Sequence, residues 1–314
     1  MQTPIMITPE LISAKCPVRP SFGHKGTFGR ALICAGTPGM GGAAYMAAAS
    51  ALRSGAGLVY VLTEPDLLSP LMTLCPQAIG LAYMAPARAV VPMMKSNAAV
   101  VNSSYINWFS DQLPEKNSCL IGPGIPPTSD KLGIMIRLAA KNARHLVLDA
   151  GALTYLANDP EAMNEVSLRI SRGLAPAVLT PHRGEFARPI PGFTEKKMNL
   201  ASAFAEEKGI TLVLKSNETN IFTSDGKWYS NRCDNSGMAK GGSGDVLAGL
   251  LTGFLAQGMT EEDASVCAVG IHSMAGELCA ADNGRRAMLP TMLWEYYGTC
   301  FKKLKWEEGM ENDG

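Results

Sequence analysis

Charge is scarce in this chain of 314 residues. Only 18% of it is charged, and Lys+Arg 28 against Asp+Glu 28 leaves no net charge. Such a balance argues against a nucleic-acid groove or an anionic membrane surface as the main partner, since both need a basic excess. Zinc-ligand spacing is missing too. The eight Cys form no CxxC pair and the four His are dispersed, so no zinc signature arises and no metal-ligating residues are assigned. The thiols read as buried and free, as a reducing compartment allows. No apolar run is long enough to span a bilayer; the best candidate, Val246–Ala256, is bracketed by Gly244 and Gly258 like a core helix. The opening residues, MQTPIMITPELISAKCP, show no basic stretch followed by an apolar one. No secretory signal is therefore expected, and the expected location is cytoplasmic. GHKGTFGR (Gly23–Arg30) is glycine-rich and basic, but no Lys-Ser or Lys-Thr pair follows its glycines. That argues against a P-loop, and the lack of a GxGxxG after a strand weakens a dehydrogenase reading.

Apolar residues, by contrast, make up 46% of the chain, and glycine is abundant at 32 residues. The first supplies a sizeable core. The second points to tight turns where backbone approaches backbone or a ligand. Short apolar runs alternate with helical patterns. Ala31–Gly36, Gly57–Thr63, Ala98–Asn102, Ser118–Gly122, His145–Gly151, Ala177–Thr180 and Ile210–Lys215 read as strands. Gly41–Gly55, Asp130–Asn142 and Lys197–Lys208 read as helices. The strand runs are continuously apolar, as strands covered on both faces must be, and the repeated β–α order gives a doubly wound α/β fold. Asn220–Asn231 reads as a hairpin turning at Asp225-Gly226. Beyond Gly244 the pattern gives three helices: Asp245–Gln257, Glu261–Ala281 and Thr291–Lys305. The chain shows no linker and no repeat, so residues 1–314 read as one domain with a frayed tail.

The richest segment for chemistry is Asn235–Gly258. Gly241, Gly242 and Gly244, with Ser243 among them, let backbone N–H groups converge where a helix begins, which favours an anion. Asp245, on the first turn, is placed to take a proton from a hydroxyl beside that anion; a simple helix-cap role is the alternative. LTPHRGEF (Leu179–Phe186) puts His182 and Glu185 just after a strand, where α/β proteins bind ligands. A structural role for His182 stays open. IGPGIP (Ile121–Pro126) is another glycine loop at a strand end, and LKSNET (Leu214–Thr219) is either a nucleotide-holding turn or a solvated one.

The joint order of HKGTFGRALICAG, GMGGAA, RSGAGLV, GPG, LVLDAGAL, TPHRGEF, KxxxT and MAKGGSGDVLAGLLTGFLAQG is more specific than its members. With these motifs, from about Arg19 to Cys300, the chain resembles the NAD(P)H-hydrate dehydratase family, ribokinase-like enzymes that use ADP or ATP. The resemblance implies a three-layer α/β/α fold with a mostly parallel central sheet, its core spanning about residues 19–300. It implies a hydro-lyase of nicotinamide-cofactor repair. A nucleotide phosphorylates the hydroxyl of the S form of NADHX or NADPHX, and loss of phosphate restores the dihydropyridine. Residue by residue, Asp245 matches the acidic residue that activates the hydroxyl. Ala43, Gly124 and His182 match the hydrate pocket. Lys215, Ser216, Asn217, Glu218 and Thr219, with Gly244, match the nucleotide segment. Gly241, Gly242, Ser243 and Gly244 would form the anion hole. ADP or ATP with Mg2+ is the implied co-substrate. A homo-oligomer, such as a tetramer, and a separate epimerase are the implied partners, and the Ala-rich helix Gly41–Gly55 is a candidate packing surface.

The chain departs from the family's pattern in three places. Gly151 stands where a second Asp is usual in Asp149-Ala150-Gly151, KSNET replaces Lys-Gly-x-x-Thr, and GPGIP lacks a later glycine. The competing readings are a ribokinase-like small-molecule kinase, of hydroxymethylpyrimidine or thiazole type, and a catalytically silent nucleotide-binding protein. Asp245 after GGSG argues against the latter.

Overall fold

The computed structural model describes residues 3–17, 19–83, 103–189, 193–194 and 197–306. The strand expected at Ala98–Asn102 and the tail from residue 307 lie outside them. The strands are β1 (Ile5–Met6), β2 (Arg30–Cys34), β3 (Leu58–Thr63), β4 (Ile79–Ala82), β5 (Ser118–Ile121), β6 (His145–Leu148), β7 (Ala177–Leu179), β8 (Ile210–Leu214), β9 (Glu218–Phe222) and β10 (Trp228–Arg232). The helices are α1 (Pro9–Ser13), α2 (Gly41–Arg53), α3 (Pro65–Leu74), α4 (Ser103–Gln112), α5 (Asp130–Asn142), α6 (Gly151–Asn158), α7 (Pro160–Ser167), α8 (Arg183–Phe186), α9 (Met198–Lys208), α10 (Ser243–Ala256), α11 (Glu261–Ala287) and α12 (Tyr297–Lys303).

The strands form one ten-stranded sheet in the order β1-β10-β9-β8-β7-β6-β5-β2-β3-β4. Strand β9 is antiparallel to both its neighbours, and every other pairing is parallel. Alternate residues of each strand enter opposite cores, as the pleat requires. Ala31, Ile33, Val59, Val61, Leu120, Val147 and Val213 pack under α2, α10 and α11. Leu32, Cys34, Leu62, Ile121, Leu148, Leu179 and Leu212 pack under α5, α6 and α9. Both faces are covered, which is why the strand runs are continuously apolar.

Helices α2 and α10 approach closely because small residues meet. A side chain at Gly249 would strike the backbone of Ala47, and one at Gly253 would strike Ser54 and the Ala51 carbonyl. The Ala-rich face of α2 is thus buried against α10 within the chain, not left open for a neighbour. Ser50 Oγ, on α2, donates to the Val246 carbonyl at 2.6 Å. By length and composition α11 is the one helix among the described residues able to cross a membrane, yet 72% of its apolar window is buried inside the molecule. It breaks at Gly284, whose φ is 73°.

One expected helix differs. Over Thr291–Lys305 the chain first winds as a tight 3-10 turn, Pro290–Tyr296, and only then as α12. Residues three apart eclipse in a 3-10 helix, so Pro290 and Leu293 share one buried face and Tyr296 packs against the same core.

Candidate active site

The parallel strands run in one direction, so their C-terminal ends share one edge. The loops after β2, β5, β6, β7 and β8 all open there, and the strand order reverses at β2 and β5, where α/β sheets bind ligands. The GPGIP, Asp149, TPHRGEF and KSNET segments, far apart in sequence, therefore meet. The N-terminus of α10 faces the same edge, because the Gly244 Cα lies beside Lys215; a Cβ there would sit 3.1 Å from Lys215 Nζ.

Gly242 caps α10 with φ 103°, a conformation that favours glycine, and this turns the chain into the helix. Ser243 is already engaged. Its N–H donates to the Lys240 carbonyl at 3.2 Å and its Oγ to the Met238 carbonyl at 2.7 Å. Of the expected anion hole, the donors left for a ligand are those flanking Ser243, not Ser243 itself.

Lys215 Nζ donates to Asp149 Oδ1 at 2.8 Å, and the Asp149 side chain is 2% exposed. Asp245 is half-buried close by. Burial, and then the Asp149 charge, push its pKa up to about 6, against an opposing pull from Lys215. At neutral pH it is a carboxylate of raised basicity, suited to accept a proton. The Asp149–Lys215 pair was not assigned from sequence; Asp149 was quoted only as the head of the altered motif.

Gly151 has a structural reason. Any side chain there would run into the Ile125 carbonyl, and one at Gly122 would run into the Asp149 carbonyl. The two loops interlock, leaving no room for the carboxylate usual at position 151. Ala150 between them is held at φ 49° and ψ −115°, a strained conformation for a residue with a Cβ. Gly124, at φ 66°, packs on Ala43 and the Met40 backbone, and its carbonyl accepts from Thr37 Oγ1 at 2.8 Å. Ala43 and Gly124 are thus neighbours, as a shared pocket would require.

His182 caps α8. Its Nδ1 accepts from the N–H groups of Gly184 at 3.0 Å and Glu185 at 3.2 Å, while Glu185 Oε2 accepts from the His182 N–H at 2.9 Å. This reciprocal cap fixes the tautomer with its proton on Nε2. Nε2 is 3.6 Å from Glu185 Oε2, too far for a hydrogen bond, so its N–H remains a donor for a ligand.

His182 sits beside Lys215 across a parallel bridge, and both line a cleft of about 760 Å³. Ser216, Asn217, Thr219, Ser243 and Gly244 share its wall. Glu218 does not: it lies on β9 and accepts from Ser230 Oγ at 3.2 Å. The far wall, unassigned from sequence, includes Leu247, Val269, His272 and Ser273. Their positions fall inside apolar helical runs, where nothing in the spacing marks them.

A mostly parallel sheet with a glycine-turned helix N-terminus and a carboxylate at its ligand edge defines a ribokinase-like fold. The match is close to one structure of ADP/ATP-dependent NAD(P)H-hydrate dehydratase from Bacillus subtilis, co-crystallised with ATP and Mg2+ and soaked with CoA. It has a TM-score of 0.76, 26% identity, and covers 97% of this chain and 100% of that one. The model of the NAD(P)H-hydrate dehydratase family matches residues 31–298, and the chain belongs to that family. It is 31% identical over 288 residues to the ADP-dependent (S)-NAD(P)H-hydrate dehydratase of Lactiplantibacillus plantarum, covering 90% of this chain and 92% of that protein. It is also 31% identical to the bifunctional NAD(P)H-hydrate repair enzyme of Moorella thermoacetica, over 96% of this chain but only 54% of that protein. The chain thus spans about half the length of its bifunctional relatives.

Proposed function

We propose that the protein dehydrates the S form of NADHX and NADPHX back to NADH and NADPH, consuming ADP or ATP. The observation that carries this is Asp245: a half-buried carboxylate of raised basicity on the first turn of α10, beside the Asp149–Lys215 pair. Asp245 takes the proton from the hydrate hydroxyl as that oxygen attacks the terminal phosphorus of the nucleotide. The P–O bond to the remaining nucleotide breaks, leaving AMP or ADP. Phosphate then departs from the phosphorylated ring carbon, and a proton lost from the neighbouring carbon restores the double bond. Lys215 and the free N–H groups at the start of α10 offset the charge that spreads over the phosphoryl oxygens. Mg2+ binds through few carboxylates and several phosphate oxygens. Asp149 fits that requirement and would hold the ion, which would offset the charge of the phosphates.

Lys215, Ser216, Asn217, Thr219 and Gly244 hold the nucleotide, and Ala43, Gly124 and His182 contact the hydrate. A homo-oligomer acting in the cytoplasm in partnership with an epimerase activity completes the reading. The deciding experiment incubates the protein with NADH hydrate and either ADP or ATP, and follows the absorbance of the restored dihydropyridine. Recovery of NADH with release of phosphate is expected. A stable phosphoester accumulating in its place would favour the small-molecule kinase reading.

A further inference from the structure

The far wall of the nucleotide cleft contains a polar group with nothing to bind. His272, on α11, is 9% exposed and lines the cleft with Leu247 and Val269. Its Nδ1 is buried and has no hydrogen-bond partner. Buried polar atoms are nearly always satisfied in native proteins, and an orphan implies a missing partner. Burial, and then the charge of Lys215, push the imidazole pKa down to about 4. At neutral pH the ring is therefore uncharged and carries one donor and one acceptor. Nδ1 is the ring nitrogen left without a partner.

We propose that His272 hydrogen-bonds the nucleoside part, base or ribose, of the nucleotide held in this cleft. The inference rests on the nucleotide reading above. The phosphate end is marked by Lys215 and the start of α10, where cationic and N–H donors gather. A neutral imidazole adds little to a polyanion there. Apolar surfaces interrupted by a few polar groups instead suit a flat base and its sugar, and Leu247 and Val269 provide such a surface.

Calorimetric titration of the full chain with ADP and with tripolyphosphate tests this. His272→Leu should weaken ADP binding about five- to tenfold, the loss of one hydrogen bond with its partner left unpaired. Tripolyphosphate affinity should stay within about twofold, because no nucleoside is present. His272→Gln, which keeps a donor and an acceptor, should recover part of the loss. Unchanged ADP affinity in folded His272→Leu overturns the inference, as does equal weakening of both ligands. Should the variants fail to fold, the wild-type ring decides. The side-chain 15N resonances of His272, assigned through its backbone, should shift with ADP and not with tripolyphosphate. Resonances indifferent to ADP overturn the inference. A wild-type protein that binds no ADP at all would sink the nucleotide reading and this inference with it.

Discussion

In the proposed reaction Asp245 bears the heaviest chemical demand of any single residue, and its environment gives three separable expectations. Asp245→Asn should keep nucleotide affinity and lower turnover by roughly 10²–10⁴-fold, the scale of a positioned base; near-normal turnover in a folded variant would remove Asp245 from the mechanism. The working form is the carboxylate, so activity should fall as pH drops through about 6. Asp149→Asn removes the neighbouring like charge and should move that acid limb to lower pH, whereas Lys215→Gln should move it higher. Identical pH profiles for all three proteins would contradict the coupling. The stability consequence has the opposite sign to that of an ordinary salt-bridged acid. Asp245 has a higher pKa folded than unfolded, so the fold binds the extra proton and loses stability as pH rises from about 4 to about 6. Asp245→Asn should therefore stabilise the protein at pH 7, on the order of 1–3 kcal/mol, with the gain vanishing near pH 4. Urea melts at the two pH values read it directly. In the proposed reading His182 has two duties. His182→Ala removes the α8 cap and the Nε2–H donor together, so thermal midpoint and hydrate affinity should both fall. His182→Asn, which keeps a capping oxygen, should hold the midpoint while still weakening the hydrate. A midpoint equally low in both variants would place the cost elsewhere than in the cap.

At the scale of elements, the α2–α10 contact depends on absent side chains. Gly249→Val has no room against Ala47 and should cost several kcal/mol, like other overpacked cores, lowering the thermal midpoint sharply; a midpoint within a degree or two of wild type would disprove the close packing. Arg169 shows a different economy. It is fully buried without a carboxylate and donates to the carbonyls of Ala139, Ala140, Ala143, Arg144 and Ala175, closing the C-terminal end of α5. Burial pushes its pKa down to about 10, still far above neutrality. Elements were legible in the sequence in proportion to their burial. Strands β2, β3, β5, β6, β7 and β8 announce themselves as apolar runs because the sheet covers both faces. The two-residue β1 is exposed on the edge and has no such signature. The helix α3 was missed because Pro70 interrupts its pattern, and the 3-10 turn at Pro290–Tyr296 has a period of three that an α-helical reading absorbs. The GGSGD helix start was readable as structure because Gly242 turns the chain into α10 at a φ that favours glycine, and the KSNET turn because polar residues gather between two apolar strands. His272 and the Asp149–Lys215 pair were not, since their partners come from remote segments.

For the whole molecule, ligand binding ties the sheet edge together. Residues from the loops after β7 and β8 and from α10 and α11 line one cleft, so a nucleotide that occupied it would stabilise all these segments at once. At a free concentration of 100 times its Kd, ADP should add about 2.7 kcal/mol to the unfolding free energy. A thermal midpoint indifferent to saturating ADP would argue against a preformed site.

The thiols described at the outset have an unplanned use. Cys34, Cys75, Cys119, Cys267, Cys279 and Cys300 are buried, Cys16 is exposed and Cys233 is partly covered. Burial raises the thiol pKa at Cys75, Cys267 and Cys300, and at Cys34, so alkylating reagents meet little thiolate there while the fold is closed. Labelling of the six interior cysteines is consequently a clock that runs only when the chain opens. Cys233 stands apart, because it lies in the wall of the nucleotide cleft. Its modification rate becomes a footprint of occupancy, with Cys16 in the same molecule as the unshielded reference.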